Sequence, residues 1–136
     1  MDFKVVGGLY GVPTVLATKA SATVIEPGDL VAIANGLIVK AAADSAAIAY
    51  APNGAGAGET KIEVTLGNNF LLEGTADANF AVAKKGAEVD LAVVNNVQLI
   101  DLGESTTDVL KVDISENAGT VGSANNVRVR INKPIF

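Results

Sequence analysis

The stretch EPGDLVAIANGLIVK, residues 26–40, determines the fold class. Its Pro27-Gly28 pair is typical of a tight turn, because proline presets one backbone angle and glycine accepts a positive φ. Asn35-Gly36 is the strongest short-range signal for a two-residue hairpin turn. Aliphatic residues lie on both sides of that pair. The stretch therefore predicts one compact β-hairpin over residues 29–40.

Short aliphatic runs with the two-residue period of a strand continue along the chain. One alternates over residues 62–66, and two more, at residues 89–93 and 97–101, flank Asn95-Asn96 and predict a second hairpin. Further runs lie at residues 70–72, 110–114 and 127–131. About seven short strands separated by turns are typical of a small antiparallel β-barrel or sandwich. We therefore predict an all-β fold.

Three segments between these runs have other compositions. Residues 41–49 are rich in alanine, a strong helix former, and predict a short helix. Residues 52–58, PNGAGAG, have almost no side chains to bury and predict a mobile surface loop. Residues 105–108, STTD, predict either a capping box or a turn closed by side-chain hydrogen bonds. The loop is too poor in functional groups for catalysis, and no suitable base lies near Ser105 in the sequence.

Residues 1–22 predict an extended N-terminal arm that precedes a single β domain over residues 23–136. The segment combines several glycines and Pro13 with residues that favour extended backbone. It can offset its ordering entropy only by lying against another surface, so it either adds a strand to a neighbouring subunit or packs on its own domain. The residues of the arm that we expect to contact a partner or a sister subunit are Phe3, Lys4, Leu9, Tyr10, Val12 and Val15.

The composition removes most catalytic chemistry. The chain has no histidine and no cysteine, so it lacks imidazole acid–base groups, thiolates, disulfides and the usual transition-metal ligands. Two carboxylate pairs, Asp90 with Asp101 and Asp108 with Asp113, could still meet across strands. Aromatic residues make up only 4% of the chain, which disfavours a glycosidase, and Asp77-Ala78-Asn79 matches a calcium loop weakly. We expect no enzymatic activity, no cofactor and no metal site.

The charge is unevenly distributed along an acidic chain. The net charge is -5, which argues against nucleic-acid binding, yet Arg128, Arg130 and Lys133 occur in a terminal stretch without acidic residues. These cations form either a solvated strand face or a basic edge that docks on an acidic neighbour. No stretch approaches the ~20 apolar residues of a membrane helix, and the early glycines disfavour a secretory signal. We therefore expect neither nucleic acid nor membrane as a partner.

Several segments carry a resemblance to a known family. They are residues 26–31 with Asn35-Gly36, 80–83 through 89–91, 97–101, 105–112, 121–124 and 127–134. Together they resemble small structural proteins encoded among the head genes of tailed bacteriophages, which include the capsid decoration or cement proteins. The resemblance covers most of residues 20–136, and its motifs are turns and strands without a chemical signature.

This resemblance implies a β-tulip-like subunit, often trimeric, on the outer surface of a phage head at local threefold positions. Such a protein stabilises the shell by bridging subunits of the major capsid protein. The chain is then expected to be a homotrimeric virion protein, made in the host cytoplasm, whose partners are the major capsid protein and itself. The alternative is a virion-surface or fibre-base adhesin that recognises a host-surface glycan through the loops at residues 52–58 and 116–125.

Overall fold

The structure is a computed structural model that describes residues 2–8 and 11–136. Its strands, in chain order, are β1 (Phe3–Gly8), β2 (Thr14–Thr18), β3 (Asp29–Ala34), β4 (Leu37–Lys40), β5 (Ala49–Ala51), β6 (Lys61–Thr65), β7 (Phe70–Gly74), β8 (Glu88–Val94), β9 (Val97–Asp101), β10 (Leu110–Val112) and β11 (Val127–Ile131). A single turn of 3-10 helix lies at Val82–Lys84. The predicted all-β fold is confirmed. The described residues include no helix with the length and hydropathy needed to cross a membrane.

Six strands form one antiparallel sheet in the order β1-β7-β11-β10-β8-β9. Alternate residues of these strands face inward because side chains in a strand alternate between the two faces. The inward residues include Leu72, Val129 and Leu110, each with 0% of its surface exposed, and they form the larger hydrophobic core. The outward residues include Lys4, Glu73, Lys111, Arg128 and Arg130, and the candidate binding surfaces lie among them.

The other five strands surround a second, smaller core. Sheets β4-β3-β5 and β2-β6 lie side by side, since β5 contacts β6, β2 contacts β4, and Lys19 forms a bridge to Ile38. The enclosed side chains include Val31 and Val64. The opposite face of β3, which carries Leu30, packs in the larger core. The molecule is therefore a small barrel-like unit packed on a six-stranded sheet.

Gln98 of β9 joins the two units. The side chain is 1% exposed, and its Oε1 accepts the N–H of Leu30 at 2.8 Å. Its Nε2 donates to the carbonyl oxygens of Leu30 at 2.8 Å and Ala41 at 3.1 Å. Buried backbone groups need a partner, and here one amide side chain supplies three such bonds at the join between the barrel-like unit and the sheet.

Both predicted hairpins are confirmed. Strands β3 and β4 pair in the expected register around Asn35 and Gly36, whose φ values are 51° and 79°. Strands β8 and β9 pair around Asn95 and Asn96, with φ values of 51° and 65°. Positive φ at both central residues is the geometry that matches the twist of the flanking strands, and asparagine and glycine adopt it most readily.

The predicted helix over residues 41–49 is wrong. The segment forms turns and bends before β5, and in one of them the N–H of Ala42 donates to the Ser45 hydroxyl at 2.9 Å. A serine that bonds to nearby backbone in this way competes with helix formation. Burial of Ala41 and Ile48 in the larger core fixes both ends of the segment.

The loop at residues 52–58 buries one of its side chains, contrary to the prediction of a mobile surface loop. Ala55 is only 7% exposed and packs in the smaller core. It exchanges two backbone hydrogen bonds with Ile25, at 2.9 and 2.8 Å. A side-chain carbon at Gly54 would lie 2.4 Å from the carbonyl oxygen of Ile25, so glycine is required for this close approach. The loop is anchored at its centre.

The extended arm predicted over residues 1–22 is not seen in the described part of that segment. Strand β1 pairs with β7 and β2 pairs with β6, so both belong to the sheets of the body. Phe3 is 2% exposed and lies against Gly74, where an added side-chain carbon would be 2.5 Å from the ring. Burial of this ring offsets the entropy that the segment loses when it becomes ordered. An isolated arm has no such compensation. Leu9 and Tyr10 lie outside the described residues.

Candidate functional site

The carboxylates that the sequence offers for acid–base chemistry have structural partners. Asp90 and Asp101 lie directly opposite each other on β8 and β9, as predicted. Asp90 is 6% exposed, and its Oδ1 accepts the backbone N–H groups of Thr106, Thr107 and Asp108, each at 2.9 Å. Burial raises the pKa of Asp90, but the N–H groups of Asp108, Thr106 and Thr107 outweigh it, so the pKa is lowered. The carboxylate therefore organises the neighbouring turn.

That turn is closed by side-chain hydrogen bonds, as the STTD motif predicts. The hydroxyl of Ser105 donates to the Asp108 carboxylate at 2.5 Å. The second predicted carboxylate pair is wrong, because Asp108 and Asp113 lie beyond opposite ends of β10. Asp113 instead accepts the hydroxyl of Ser115. Each of these aspartates therefore bonds to residues near it in sequence.

Asp101 lies in an acidic corner. Burial raises its pKa, and the charges of Asp77 and Glu104 raise it further, against the N–H of Gly103. Asp77 belongs to the weak calcium-loop match, and its Oδ1 accepts the N–H of Leu102 at 3.0 Å. Within residues 2–8 and 11–136, no group of three or more acidic, histidine or cysteine side chains is arranged to hold a metal ion.

Replacing Asp90 with alanine is expected to lower the free energy of unfolding at pH 7 by about 2–3 kcal/mol, because three backbone N–H groups lose a charged acceptor. The pKa of Asp90 is lower in the folded state, so this stabilisation is complete above the unfolded value of about 4 and is lost as the pH falls through the folded value. Urea denaturation at pH 7 and at pH 3 measures both effects. The exposed Asp44, changed to alanine, is the control; an Asp90→Ala loss that is equal at both pH values contradicts this account.

The apolar residues expected to contact a partner lie against the chain's own cores. Phe3 is buried in the larger core, Val12 is partly buried against it, and Val15 packs on the smaller core. Lys4 is exposed, and its Nζ lies 3.3 Å from Oε1 of Glu73. Lys4 is thus the exposed member of this set among the described residues.

The three C-terminal basic residues do not form one cluster. Nε of Arg128 lies 3.4 Å from Oε2 of Glu73. Nζ of Lys133 donates to the carbonyl oxygen of Thr107 at 2.7 Å, which ties the chain terminus to the turn held by Asp90. Arg130 is exposed and has no ion pair or side-chain hydrogen bond among the described residues. Of the three, Arg130 is therefore the strongest candidate for contact with a partner.

The fold brings Lys111 next to Arg130 and the Lys84-Lys85 pair to one end of the same strand as Lys111. Lys111 of β10 lies directly opposite Arg130 of β11, on the outer face of the six-stranded sheet. The N–H of Gly86 donates to the carbonyl of Val112 at 3.0 Å, which brings the preceding Lys84-Lys85 pair to the same end of β10. Ile114 lies just beyond that end and is 75% exposed. We call Lys84, Lys85, Lys111, Arg130 and Ile114 the basic–apolar patch.

The cations of the basic–apolar patch are not neutralised within the described part of the chain. None of the four makes an ion pair or a side-chain hydrogen bond there, although Glu88 lies across from Lys111 on β8. Like charges directly opposite each other across strands are unfavourable on their own. A cavity of about 180 Å³ beside Ile114 is lined by Lys111 and Arg130 and also by Asp113, whose carboxylate accepts the N–H of Ile114 and the hydroxyl of Ser115. The patch therefore has four cations and two nearby carboxylates, Glu88 and Asp113, beside an exposed aliphatic side chain on a protein of net charge -5.

Sequence reasoning found Arg130 but missed the rest of the patch. Lys111 lies between buried Leu110 and Val112, so its outward direction could have been inferred from alternation. The order of strands in the sheet, which places β10 beside β11, is set by long-range pairing and has no local signal.

Comparison of the chain with protein-family models, curated proteins and solved structures finds no match. A function for the chain is therefore argued from its own surfaces.

Proposed function

We propose that this chain is a structural capsid decoration protein of a tailed phage, which binds the outer surface of the head through its basic–apolar patch. The observation that carries the proposal is the set of four unneutralised cations around Ile114 in an acidic protein. An acidic surface of the major capsid protein supplies the missing counter-charges. The resemblance of most of residues 20–136 to small head proteins of tailed phages, which include decoration proteins, supports the same role.

The energy available from one patch is modest. An exposed ion pair contributes about 0–1 kcal/mol, and burial of an exposed isoleucine contributes about 2 kcal/mol. One patch alone would therefore bind weakly. A homotrimer at a local threefold position engages three patches at once, and the linked contacts raise the overall affinity without new chemistry.

This mode of binding also explains how the protein would stabilise a shell. A ligand that binds only the assembled lattice shifts the equilibrium toward that lattice by mass action. The role requires shape and adhesion, and it assigns no reaction, cofactor or metal to the chain. In this proposal the protein is made in the host cytoplasm and resides on the virion surface.

Arg130→Glu is expected to weaken binding to capsids that lack the protein by at least tenfold, because it places a negative charge at the centre of the patch. Co-sedimentation with purified capsids at low and high salt measures the effect, and the wild-type affinity should fall as salt rises. The matched control is Lys61→Glu, which makes the same charge change at an exposed site on β6. Equal weakening by the two variants, or none, contradicts the proposal.

A further inference from the structure

A second surface on the outer face of the six-stranded sheet forms a polar groove. Two cavities, of about 350 and 260 Å³, share Glu73 and Asn126 among their lining residues. The groove follows β7 from Glu73 to Thr75. It therefore extends away from Arg130, which lies toward the other end of β7 on the neighbouring strand β11. We call the two cavities together the Glu73 groove. The larger cavity falls at the lower end of the ~300–1,000 Å³ typical of small-molecule pockets.

The loop that contains Asn117 and Thr120 forms one wall of the groove, and contacts with the sheet and with the buried ring of Phe80 hold it in place. Ala118 is 0% exposed, and its carbonyl oxygen accepts the N–H of Arg128 at 2.7 Å. Gly119 lies on the ring of Phe80, where an added side-chain carbon would be 2.9 Å from Cγ. Asn117 and Thr120, on either side of these anchors, line the groove. A wall fixed in this way loses little conformational freedom when a ligand binds.

The groove offers both donors and acceptors with little net charge. Glu73 lies between two cations, with Lys4 Nζ at 3.3 Å and Arg128 Nε at 3.4 Å. Among the described residues, the terminal guanidinium nitrogens of Arg128 and the side chains of Asn117 and Thr120 make no hydrogen bond. Glu116 adds a second carboxylate to the lining, and Asp2 accepts the N–H of Gln98. The lining therefore suits a ligand with many hydroxyl groups and no charge.

We propose that the Glu73 groove binds a neutral saccharide, with Arg128, Asn117 and Thr120 as donors and Glu73 as the central acceptor. Phe3 lies at the floor of the groove but is only 2% exposed, so it offers no ring face for a sugar to stack on. The affinity of one groove is consequently weak, with a dissociation constant of about 1–10 mM. This inference is independent of the proposed capsid role because it uses different residues.

The test is a titration of the isotope-labelled full chain with neutral oligosaccharides that end in glucose, galactose, mannose or N-acetylglucosamine, followed by NMR. At least one is expected to shift the amide signals of Glu73, Asn117 and Arg128. The double variant Asn117→Ala/Thr120→Ala should lose at least tenfold in affinity. The matched control, Asn69→Ala/Thr60→Ala, removes the same groups at exposed sites outside the groove and should bind like wild type.

Three results would overturn the inference: no shift with any of the oligosaccharides up to about 50 mM, a groove variant that binds with the wild-type affinity, or tighter binding of a sialylated, acidic oligosaccharide. The Arg130→Glu protein should give the wild-type titration. Loss of capsid binding with saccharide binding intact therefore separates the two surfaces, and failure at either one leaves the other measurable.

Discussion

Phe3→Ala is expected to lower the free energy of unfolding by about 3–5 kcal/mol, because it removes a fully buried aromatic ring and leaves a cavity in the larger core. The ring is 2% exposed and lies against Gly74, so little around it can move to fill the space. Guanidinium denaturation measures the loss. Lys4→Ala on the same strand is the control, since the Lys4 side chain is 66% exposed, and should change stability by less than about 1 kcal/mol.

An unchanged stability of Phe3→Ala would mean that residues 3–8 behave in solution as the free arm that the sequence predicts. The pairing of β1 with β7 would then be wrong. Point substitution is the informative test, since deletion of residues 2–20 would remove both β1 and β2 and expose parts of two cores. A truncated chain that failed to bind capsids would not distinguish a lost contact from a lost fold.

Gln98→Leu is expected to lower the free energy of unfolding by about 3 kcal/mol or more. The leucine is close in size, but the N–H and carbonyl of Leu30 and the carbonyl of Ala41 lose the side chain that bonds to them. Each buried polar group left without a partner costs about 1–3 kcal/mol. Thermal and urea denaturation measure the change. Val97→Ala, at a 45% exposed neighbour on the same strand, is the control.

A loss below about 1 kcal/mol for Gln98→Leu would show that water replaces the amide at the junction of the two units. The junction would then be looser than the hydrogen bonds indicate. Hydrogen exchange of the Leu30 amide in the wild-type protein checks the junction directly, because an amide bonded to Gln98 exchanges slowly and a hydrated one exchanges fast.

The sequence predicts the parts of the fold that depend on local backbone chemistry. Both hairpins were found because Asn35-Gly36 and Asn95-Asn96 adopt the positive φ that two-residue turns require. The predicted helix over residues 41–49 is wrong because the hydroxyl of Ser45 bonds to the backbone of a turn in place of the helical pattern. Intrinsic propensity is a weak guide when both ends of a short segment are fixed by burial.

Alternation alone also leaves the inner face of a strand undetermined. In β9 the polar Gln98 and the apolar Ile100 point inward, whereas Val97 is 45% exposed. A two-residue period separates two faces but does not say which one is buried. Gln98 lies on the buried face because it bonds to residues 68 and 57 positions away in the chain. No local pattern contains that information.

The candidate site likewise depends on contacts between residues that are distant in sequence. Arg128, Arg130 and Lys133 are close in sequence, yet Glu73 and Thr107 engage the first and the last. Sheet order then adds Lys111, which precedes Arg130 by nineteen positions along the chain. The basic stretch in the sequence therefore identifies one member of the patch. Strand pairing adds Lys111, and the hydrogen bond between Gly86 and Val112 adds the Lys84-Lys85 pair.

The central claim is that the basic–apolar patch holds this protein to a phage head. An electron cryo-microscopy reconstruction of capsids decorated with the protein tests it most directly. We expect Lys84, Lys85, Lys111 and Arg130 to face acidic side chains of the major capsid protein, with Ile114 buried in the contact. A reconstruction in which the patch faces solvent, or mature particles that lack the protein altogether, would contradict the claim.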